Sequence, residues 1–366
     1  MKKSLLALAV LGAFAGAASA QSSVTIYGSL DLGLTKSNGG TAGNNGGAAG
    51  NGAQAKAWTL QSANAPRLGL RGNEDLGGGL SAQFQIEHRF NVDTGTLNNA
   101  STFWQGRSYL QLSSASAGRV YLGRDYTPAF WPAVKSDPFG WDGVGQMGLD
   151  MWAGFRTPNP NVTIGGAAQT AANPAGIAGN GGNVRSANTI GYKSPSFGGL
   201  TVQIATGLGE NIVGRDDGFN IEYAAGPIYA ALGYERVRGA GSAPIVAPIA
   251  QALNAKDGDS LVNFAFHYDF GIVKPMFYYA QAHVDATDAS NKFWSLGALA
   301  PIGPGNLKAA YYKWDPEGSN NNRQKFGIGY DYPLSKRTNL YADLGYQKGD
   351  NLTSNTTYSF GAKHTF

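Results

Sequence analysis

The feature that most constrains the fold is a two-residue alternation of apolar and polar side chains, repeated along nearly the whole chain. Between Leu80 and Asn91, apolar residues and His88 at even positions alternate with Ser, Gln, Glu, Arg and Asn at odd positions. Successive side chains of a β-strand point to opposite faces, so this period predicts strands with one apolar and one polar face. Segments of this kind recur roughly sixteen times, separated by turn residues.

The predicted strands are Ser23–Thr35, Ala57–Arg71, Leu80–Asn91, Phe103–Ser113, Gly118–Asp125, Arg185–Lys193, Gly199–Leu208, Gly218–Ala225, Pro227–Val237, Ser260–Asp269, Ile272–Asp285, Lys292–Ala300, Gly305–Trp314, Gln324–Tyr332, Thr338–Gln347 and Thr357–Phe366. One alternating strand alone fits a soluble sandwich as well as a membrane barrel. The chain leaves little between its strands that could form a covering layer. We therefore expect an all-β protein, a transmembrane antiparallel β-barrel of 16 strands.

The first residues resemble a secretory signal. Lys2 and Lys3 precede an apolar run from Leu5 to Ala17, which ends in a triplet of small residues. This pattern predicts a signal peptide, residues 1–20, that is cleaved before Gln21, with residues 21–366 forming a single barrel domain. No second long apolar stretch follows, so a membrane-spanning form of the chain would have to cross with strands rather than helices.

The amino-acid composition supports a β-structure and argues against some classes of binding partner. The sequence holds 53 Gly, 18 Tyr, 17 Phe and 7 Trp, while only 14% of its residues are charged. The absence of Cys excludes disulfides and thiolate metal sites. The formal charge of +4 becomes +2 when Lys2 and Lys3 leave with the signal, which is too small to favour nucleic acid as a partner.

One connector is exceptional in length and composition. Residues 126–184 lack sustained alternation, and their first half is rich in Trp, Phe, Pro and Gly. Aromatic residues in that density pack against something, and a connector of this length is usually functional or disordered. A barrel of this size would otherwise enclose an open channel, so we expect the segment to fold into the lumen and constrict the pore.

Several stretches resemble the Gram-negative general porin family, in particular the trimeric porins of neisserial and Burkholderia-like bacteria. They are SSVTIYGSLDLGL, RLGLRGNEDLGGGLSAQFQIE, YLGRDYTP, SPSFGGL, NKFWSLGALA, LSKRTNLYADLGY and the final FGAKHTF. The resemblance implies a general diffusion porin in the outer membrane of a Gram-negative bacterium, passing small ions and hydrophilic solutes. It also implies a homotrimer in contact with outer-membrane lipids, and a signal for the barrel assembly machinery at Tyr358, Phe360 and Phe366.

A pore of this kind is controlled by fixed charges at its narrowest point. Alternation places Arg67 and Arg107 on the polar faces of their strands, and Arg185 on the face of Ala187 and Thr189. The resemblance assigns these three arginines to the constriction wall. The full set of predicted pore-constriction residues is Arg67, Arg107, Arg185, Glu87 and Lys308 on the wall, with Asp137, Asp142 and Asp150 on the infolded connector. An arginine cluster of this kind predicts weak anion selectivity.

Nothing in the sequence indicates catalysis, a cofactor or a metal site. The four histidines, His88, His267, His283 and His364, lie apart and lack a neighbouring nucleophile or acid motif. Three alternatives to a general porin remain open: a channel specialised for one substrate, an outer-membrane barrel enzyme, and a secreted β-sandwich lectin. Alternation puts Arg124 on the lipid side, where a charge is costly, and its role stays open.

Overall fold

The fold was established from a computed structural model. It describes residues 23–42, 56–63, 66–98, 102–147, 163–164, 167–168, 184–210, 215–238, 258–284, 288–317 and 322–366. The predicted signal peptide and Asp150 lie outside the described residues, as does most of the connector beyond residue 147. Within the described part of the chain, no helix is long and apolar enough to cross a membrane.

Nearly all of the regular structure is β-strand. The strands are β1 Ser23–Ser37, β2 Thr59–Gln61, β3 Arg67–Gly77, β4 Leu80–Arg89, β5 Ser108–Ser114, β6 Gly118–Tyr126, β7 Thr163–Ile164, β8 Ala167–Ala168, β9 Arg185–Lys193, β10 Leu200–Gly207, β11 Arg215–Ala225, β12 Ile228–Arg238, β13 Ser260–Tyr268, β14 Lys274–Val284, β15 Ala289–Ile302, β16 Gly305–Pro316, β17 Arg323–Pro333, β18 Thr338–Gly349 and β19 Asn355–Thr365. A short helix, α1, spans Phe130–Lys135.

All strands except β7 and β8 form one closed antiparallel barrel, while β7 and β8 pair only with each other in the described residues. From β3 to β19 each barrel strand pairs with the next along the chain, with β6 pairing with β9 across the long connector. Closure comes from β1, which pairs with β19 from Ser29 opposite Thr365 to Ser37 opposite Thr357. Its other edge pairs with β3 and β2, which together make one barrel strand. The barrel therefore has the 16 strands expected from the sequence, and the all-β transmembrane barrel fold is confirmed.

Side-chain burial follows the two-residue period. On β5, Leu110 and Leu112 are 57% and 51% exposed, whereas Gln111 between them is 5% exposed. The same pattern holds on β10, where Ile204 is exposed and Gln203 is buried. The apolar faces therefore point outward and the polar faces point inward, which is the reverse of a soluble core and is the arrangement that lipid requires.

The observed strands differ from the predicted ones mainly where the ladder is interrupted. The predicted strand Ala57–Arg71 is two strands, because Pro66 has no backbone N–H to donate to the ladder. The predicted strand beginning at Phe103 begins instead at Ser108. The Phe103 ring stacks on His88 with centroids 4.0 Å apart, outside the ladder.

Candidate functional site

Residues 127–147, which we call the docked segment, follow β6 and contact inward-facing side chains of the barrel. Helix α1, within this segment, contacts β11, β12 and β13. Just before the helix, Asn220 on β11 donates from Nδ2 to the Pro128 carbonyl at 2.7 Å, and Asn263 on β13 donates to the Ala129 carbonyl at 2.7 Å. Two wall amides therefore hold the backbone at the point where α1 begins.

The end of α1 is held by polar side chains of the same wall. Ser136 Oγ donates to the Pro132 carbonyl at 2.6 Å and lies 2.9 Å from Nε2 of His267 on β13. Because that hydroxyl proton is already donated, His267 is assigned the tautomer that donates from Nε2. Lys135, in the last turn of α1, donates to Glu222 on β11 at 2.7 Å.

Asp137 organises the turn that follows the helix. One carboxylate oxygen accepts the backbone N–H of Phe139 at 3.1 Å and the hydroxyl of Tyr312 on β16 at 2.7 Å. The other accepts the N–H groups of Trp141 and Met147, each at 3.0 Å. Burial raises the pKa of this carboxyl above its ordinary value, while the four donated hydrogen bonds act in the opposite direction. Asp137 thus fastens three points of the docked segment to one another and to the wall.

Beyond Asp137, charged wall residues meet the docked segment. Lys308 on β16 lies 2.8 Å from Asp331 and 3.2 Å from Asp343, and its Nζ lies 4.8 Å from the Phe139 ring centroid. Lys308 is only 5% exposed, so its charge is neutralised inside the wall.

Two glycines allow the last part of the docked segment to lie directly on the wall. A β-carbon at Gly327 on β17 would overlap the backbone of Gly145, and one at Gly345 on β18 would overlap that of Val144. Further along, Lys363 on β19 donates to an Asp142 carboxylate oxygen at 2.7 Å. Contacts therefore run along the inner wall from β11 to β19.

The opposite part of the wall carries a group of arginines. We call it the arginine wall; it consists of Arg67 on β3, Arg89 on β4, Arg107 before β5 and Arg185 on β9. Arg67 and Arg89 are directly opposite in the β3–β4 register, which places like charges side by side. Glu87 relieves this repulsion, since it forms a 2.6 Å ion pair with Arg89 and accepts the Tyr27 hydroxyl at 3.2 Å.

Arg107 is the most constrained member of the arginine wall. It binds Asp125 on β6 through both Nε and Nη2, at 2.6 and 2.8 Å, in the two-pronged geometry favoured by guanidinium and carboxylate groups. Its guanidinium also lies 5.0 Å from the Tyr109 ring centroid and 5.7 Å from that of Trp131. Because Trp131 belongs to α1, Arg107 connects the arginine wall to the docked segment.

Tyr126, the last residue of β6, lies among these arginines. Its hydroxyl accepts a hydrogen bond from Arg89 at 3.2 Å and another from Arg185 at 2.7 Å. Arg67 is also within electrostatic range of it. Its ring stacks on Phe130 of α1, with centroids 4.6 Å apart and planes 7° apart.

A sequence model described as Gram-negative porin matches residues 7–352, nearly the whole chain. The chain belongs to the Gram-negative porin family. The outer membrane porin protein 32 of Delftia acidovorans is 33% identical over 367 aligned residues, covering 97% of this chain and 92% of that protein. An outer membrane porin of Bordetella pertussis is 29% identical over 421 aligned residues, covering the whole of both chains.

Solved structures of porins share the fold. The anion-selective porin from Comamonas acidovorans superimposes with a TM-score of 0.71 at 28% identity, covering 94% of this chain and all of that one. OmpT of Vibrio cholerae superimposes with a TM-score of 0.62 at 14% identity and covers 95% of this chain, which shows the fold alone. This porin is thus an outer-membrane general diffusion channel for small hydrophilic solutes, and its relatives are channels rather than enzymes.

The predicted constriction residues of the porin fall into two groups. Arg67, Arg107, Arg185 and Glu87 come together on the arginine wall. Lys308, Asp137 and Asp142 lie instead between the docked segment and the opposite wall. Asp137 differs most from expectation, since it is 4% exposed and turned toward the wall. Backbone N–H groups of the docked segment orient its carboxylate, and this orientation depends on how the turn after α1 folds.

The sequence analysis did not predict one member of the arginine wall, Arg89, or two residues that bind its arginines, Asp125 and Tyr126. Arg89 shares the polar face of Glu87, so the period of β4 contained the signal for it. Asp125 and Tyr126 stand at the end of β6 and were not singled out. Arg124, whose role stayed open, donates from Nε to the Gln105 carbonyl at 3.2 Å and is partly buried, which reduces its exposure to lipid.

The predicted assembly signal lies on the outer face near barrel closure. Tyr358 and Phe360 on β19 and the terminal Phe366 are 42%, 50% and 39% exposed. The Phe366 backbone exchanges two hydrogen bonds with Gly28 of β1, at 3.0 and 3.1 Å. The role of these aromatic residues in assembly stays a prediction.

Proposed function

We propose that this porin is weakly anion-selective, and that its pore is narrowed between the docked segment and the arginine wall. The observation that carries the proposal is the charge of that wall. Four guanidinium groups gather around two carboxylates, Glu87 and Asp125, so this group has a net charge of +2. Fixed positive charge beside a narrow aqueous path raises the local concentration of anions and lowers that of cations.

The position of the docked segment supports the same proposal. It lies along the interior side of β11 to β19, where Lys363 pairs with Asp142 of the segment and Lys308 is neutralised by Asp331 and Asp343 of the wall. The path left for solutes therefore runs past the arginine wall. A related solved structure is described as an anion-selective porin, which is in keeping with this assignment.

Reversal potential in a salt gradient across a planar bilayer tests the proposal. We expect the detergent-purified, refolded protein to give a potential of anion sign. Arg67→Gln and Arg185→Gln should each lower the anion-to-cation permeability ratio about twofold, because each removes one positive charge from the constriction. Arg337→Gln, in an exposed turn between β17 and β18, serves as the matched control and should leave the ratio unchanged. A wild-type potential of cation sign would overturn the proposal.

We further propose a homotrimer, as the family resemblance implies. Conductance steps arriving in threes, together with cross-linking to a species of three chains, are the expected observations. A single-step channel from a monomer would contradict it.

We also propose removal of residues 1–20 on export, recognition of Tyr358, Phe360 and Phe366 by the assembly machinery, and the absence of catalytic activity. Mass spectrometry of the exported protein tests the first of these, with Gln21 expected at the amino terminus.

A further inference from the structure

One tyrosine hydroxyl joins two members of the arginine wall. Arg89 on β4 and Arg185 on β9 are separated by β5 and β6 in the barrel order, and both donate to the oxygen of Tyr126. A phenolic oxygen has two acceptor positions, and both are used here by guanidinium groups. Hydrogen bonds from charged donors are shorter and stronger than neutral ones, so this oxygen holds two like charges close together against their repulsion.

The ring of the same residue is attached to the docked segment. It stacks on Phe130 and meets Trp131 edge-on, with centroids 5.2 Å apart. The Arg185 guanidinium lies 4.4 Å from the centroid of the Tyr126 ring. Tyr126 therefore contacts both sides of the proposed constriction, the arginines through its hydroxyl and the docked segment through its ring.

We propose that Tyr126 is a positioning residue for ion selectivity, whose hydroxyl holds the Arg89 and Arg185 guanidinium groups at the pore. The proposal rests on the function proposed above. Without the hydroxyl, the two cations lose a shared acceptor and repel each other, so positive charge spreads away from the narrowest point. The ring contacts with Phe130 and Trp131 would remain, and with them the position of the docked segment.

Tyr126→Phe tests this directly, because it removes the oxygen and keeps the ring. We expect its reversal potential to shift toward the cation side, with the anion-to-cation permeability ratio falling about twofold. The matched control is Tyr121→Phe on the same strand. The hydroxyl of Tyr121 is also buried in the lumen wall, but it accepts from the Gln203 amide at 3.0 Å rather than from an arginine. This control should leave the potential unchanged.

A double-mutant cycle separates positioning from a structural effect. If Tyr126 acts through the arginines, Tyr126→Phe should shift the potential less in an Arg185→Gln background than in the wild type. Thermal unfolding of the refolded variants serves as the structural measurement. A twofold fall in permeability ratio at unchanged unfolding temperature supports positioning.

Three outcomes are decisive. An unshifted potential for Tyr126→Phe, or a shift of equal size in both backgrounds, overturns the role of Tyr126. A shift equal to that of Tyr121→Phe also overturns it, since any buried hydroxyl would then have the same effect. The sign of the wild-type potential bears on the proposed function alone, because the role of Tyr126 is measured as a difference from wild type whatever that sign is.

Discussion

The two sides of the barrel interior use charge in opposite ways. From β11 to β19, Lys308 and Asp343 pair inside the wall and Asp137 is enclosed by four donors from the docked segment and Tyr312. On the arginine wall, cations outnumber their carboxylate partners and gather around Tyr126. Neutralised charge serves to hold one piece of chain against another, whereas unbalanced charge is available to act on solutes. Substitutions on the docked side should therefore change conductance or stability, and those on the arginine wall should change selectivity.

Asp137→Ala should have the largest effect on the docked side. It leaves three backbone N–H groups and the Tyr312 hydroxyl without their acceptor, at about 1 to 3 kcal/mol for each buried group. We expect the docked segment to loosen and single-channel conductance to rise about twofold, since the path widens. The barrel should still form, because the strand ladder does not involve this side chain.

Single-channel recording of Asp137→Ala needs two comparisons. Asp269→Ala removes a carboxylate that accepts from the backbone N–H of Gly271 in an exposed turn at 2.8 Å, and it should leave conductance unchanged. Asp137→Asn keeps one acceptor oxygen and should give an intermediate conductance. If Asp137→Ala conducts like the wild type, this residue does not anchor the docked segment.

Lys308→Met should affect stability rather than selectivity. Removing the buried ammonium leaves Asp343 and Asp331 without their cation, which should cost about 3 to 5 kcal/mol in the free energy of unfolding. Urea unfolding of the refolded protein in lipid vesicles measures this loss. Adding Asp343→Asn should restore part of it, because one of the two negative charges is removed.

Lys308→Met and Arg185→Gln, measured by the same methods, distinguish the roles of the two sides of the barrel interior. We expect the first to lower stability with the reversal potential unchanged, and the second to shift the potential with a stability loss of about 1 kcal/mol. If Lys308→Met shifts the potential as far as Arg185→Gln, then Lys308 acts on solutes and the division between the two sides is wrong.

Lys363→Gln should have the smallest effect. Its ion pair with Asp142 is partly exposed, at 24% and 28% for the two side chains, and such pairs contribute at most about 1 kcal/mol. We expect an unfolding free energy within that range of the wild type and an unaltered conductance. A loss as large as that of Lys308→Met would show that the docked segment depends on this single contact.

Much of the fold followed from the two-residue period. It placed Arg67, Arg107 and Glu87 on polar faces, and the structure has them on the inner face. The two-residue period predicts the orientation of side chains because each face of a barrel strand meets either lipid or water along its whole length. The polarity of a side chain therefore indicates whether it faces the membrane or the lumen. The number of strands could be counted from the same pattern.

The position of Arg185 depends least on the two-residue alternation, because β9 is not regular. Between the pairs Gly123–Thr189 and Asp125–Ser186, β9 advances three residues while β6 advances two, and Asn188 has a φ of 53°. An extra residue of this kind reverses which side chains share a face. The guanidinium still reaches the Tyr126 hydroxyl, although simple alternation could not have placed it there.

The sequence by itself determined the barrel, its strand number and the inner faces, since these depend on residue types that repeat along each strand. Only the tertiary structure decided how the interior charges divide into neutralised and unbalanced groups. Asp137 meets Tyr312, and Tyr126 meets both Arg89 and Arg185, across separations in sequence that no local pattern encodes. Such contacts depend on barrel closure and on the docked segment, which bring together strands that are distant in the chain.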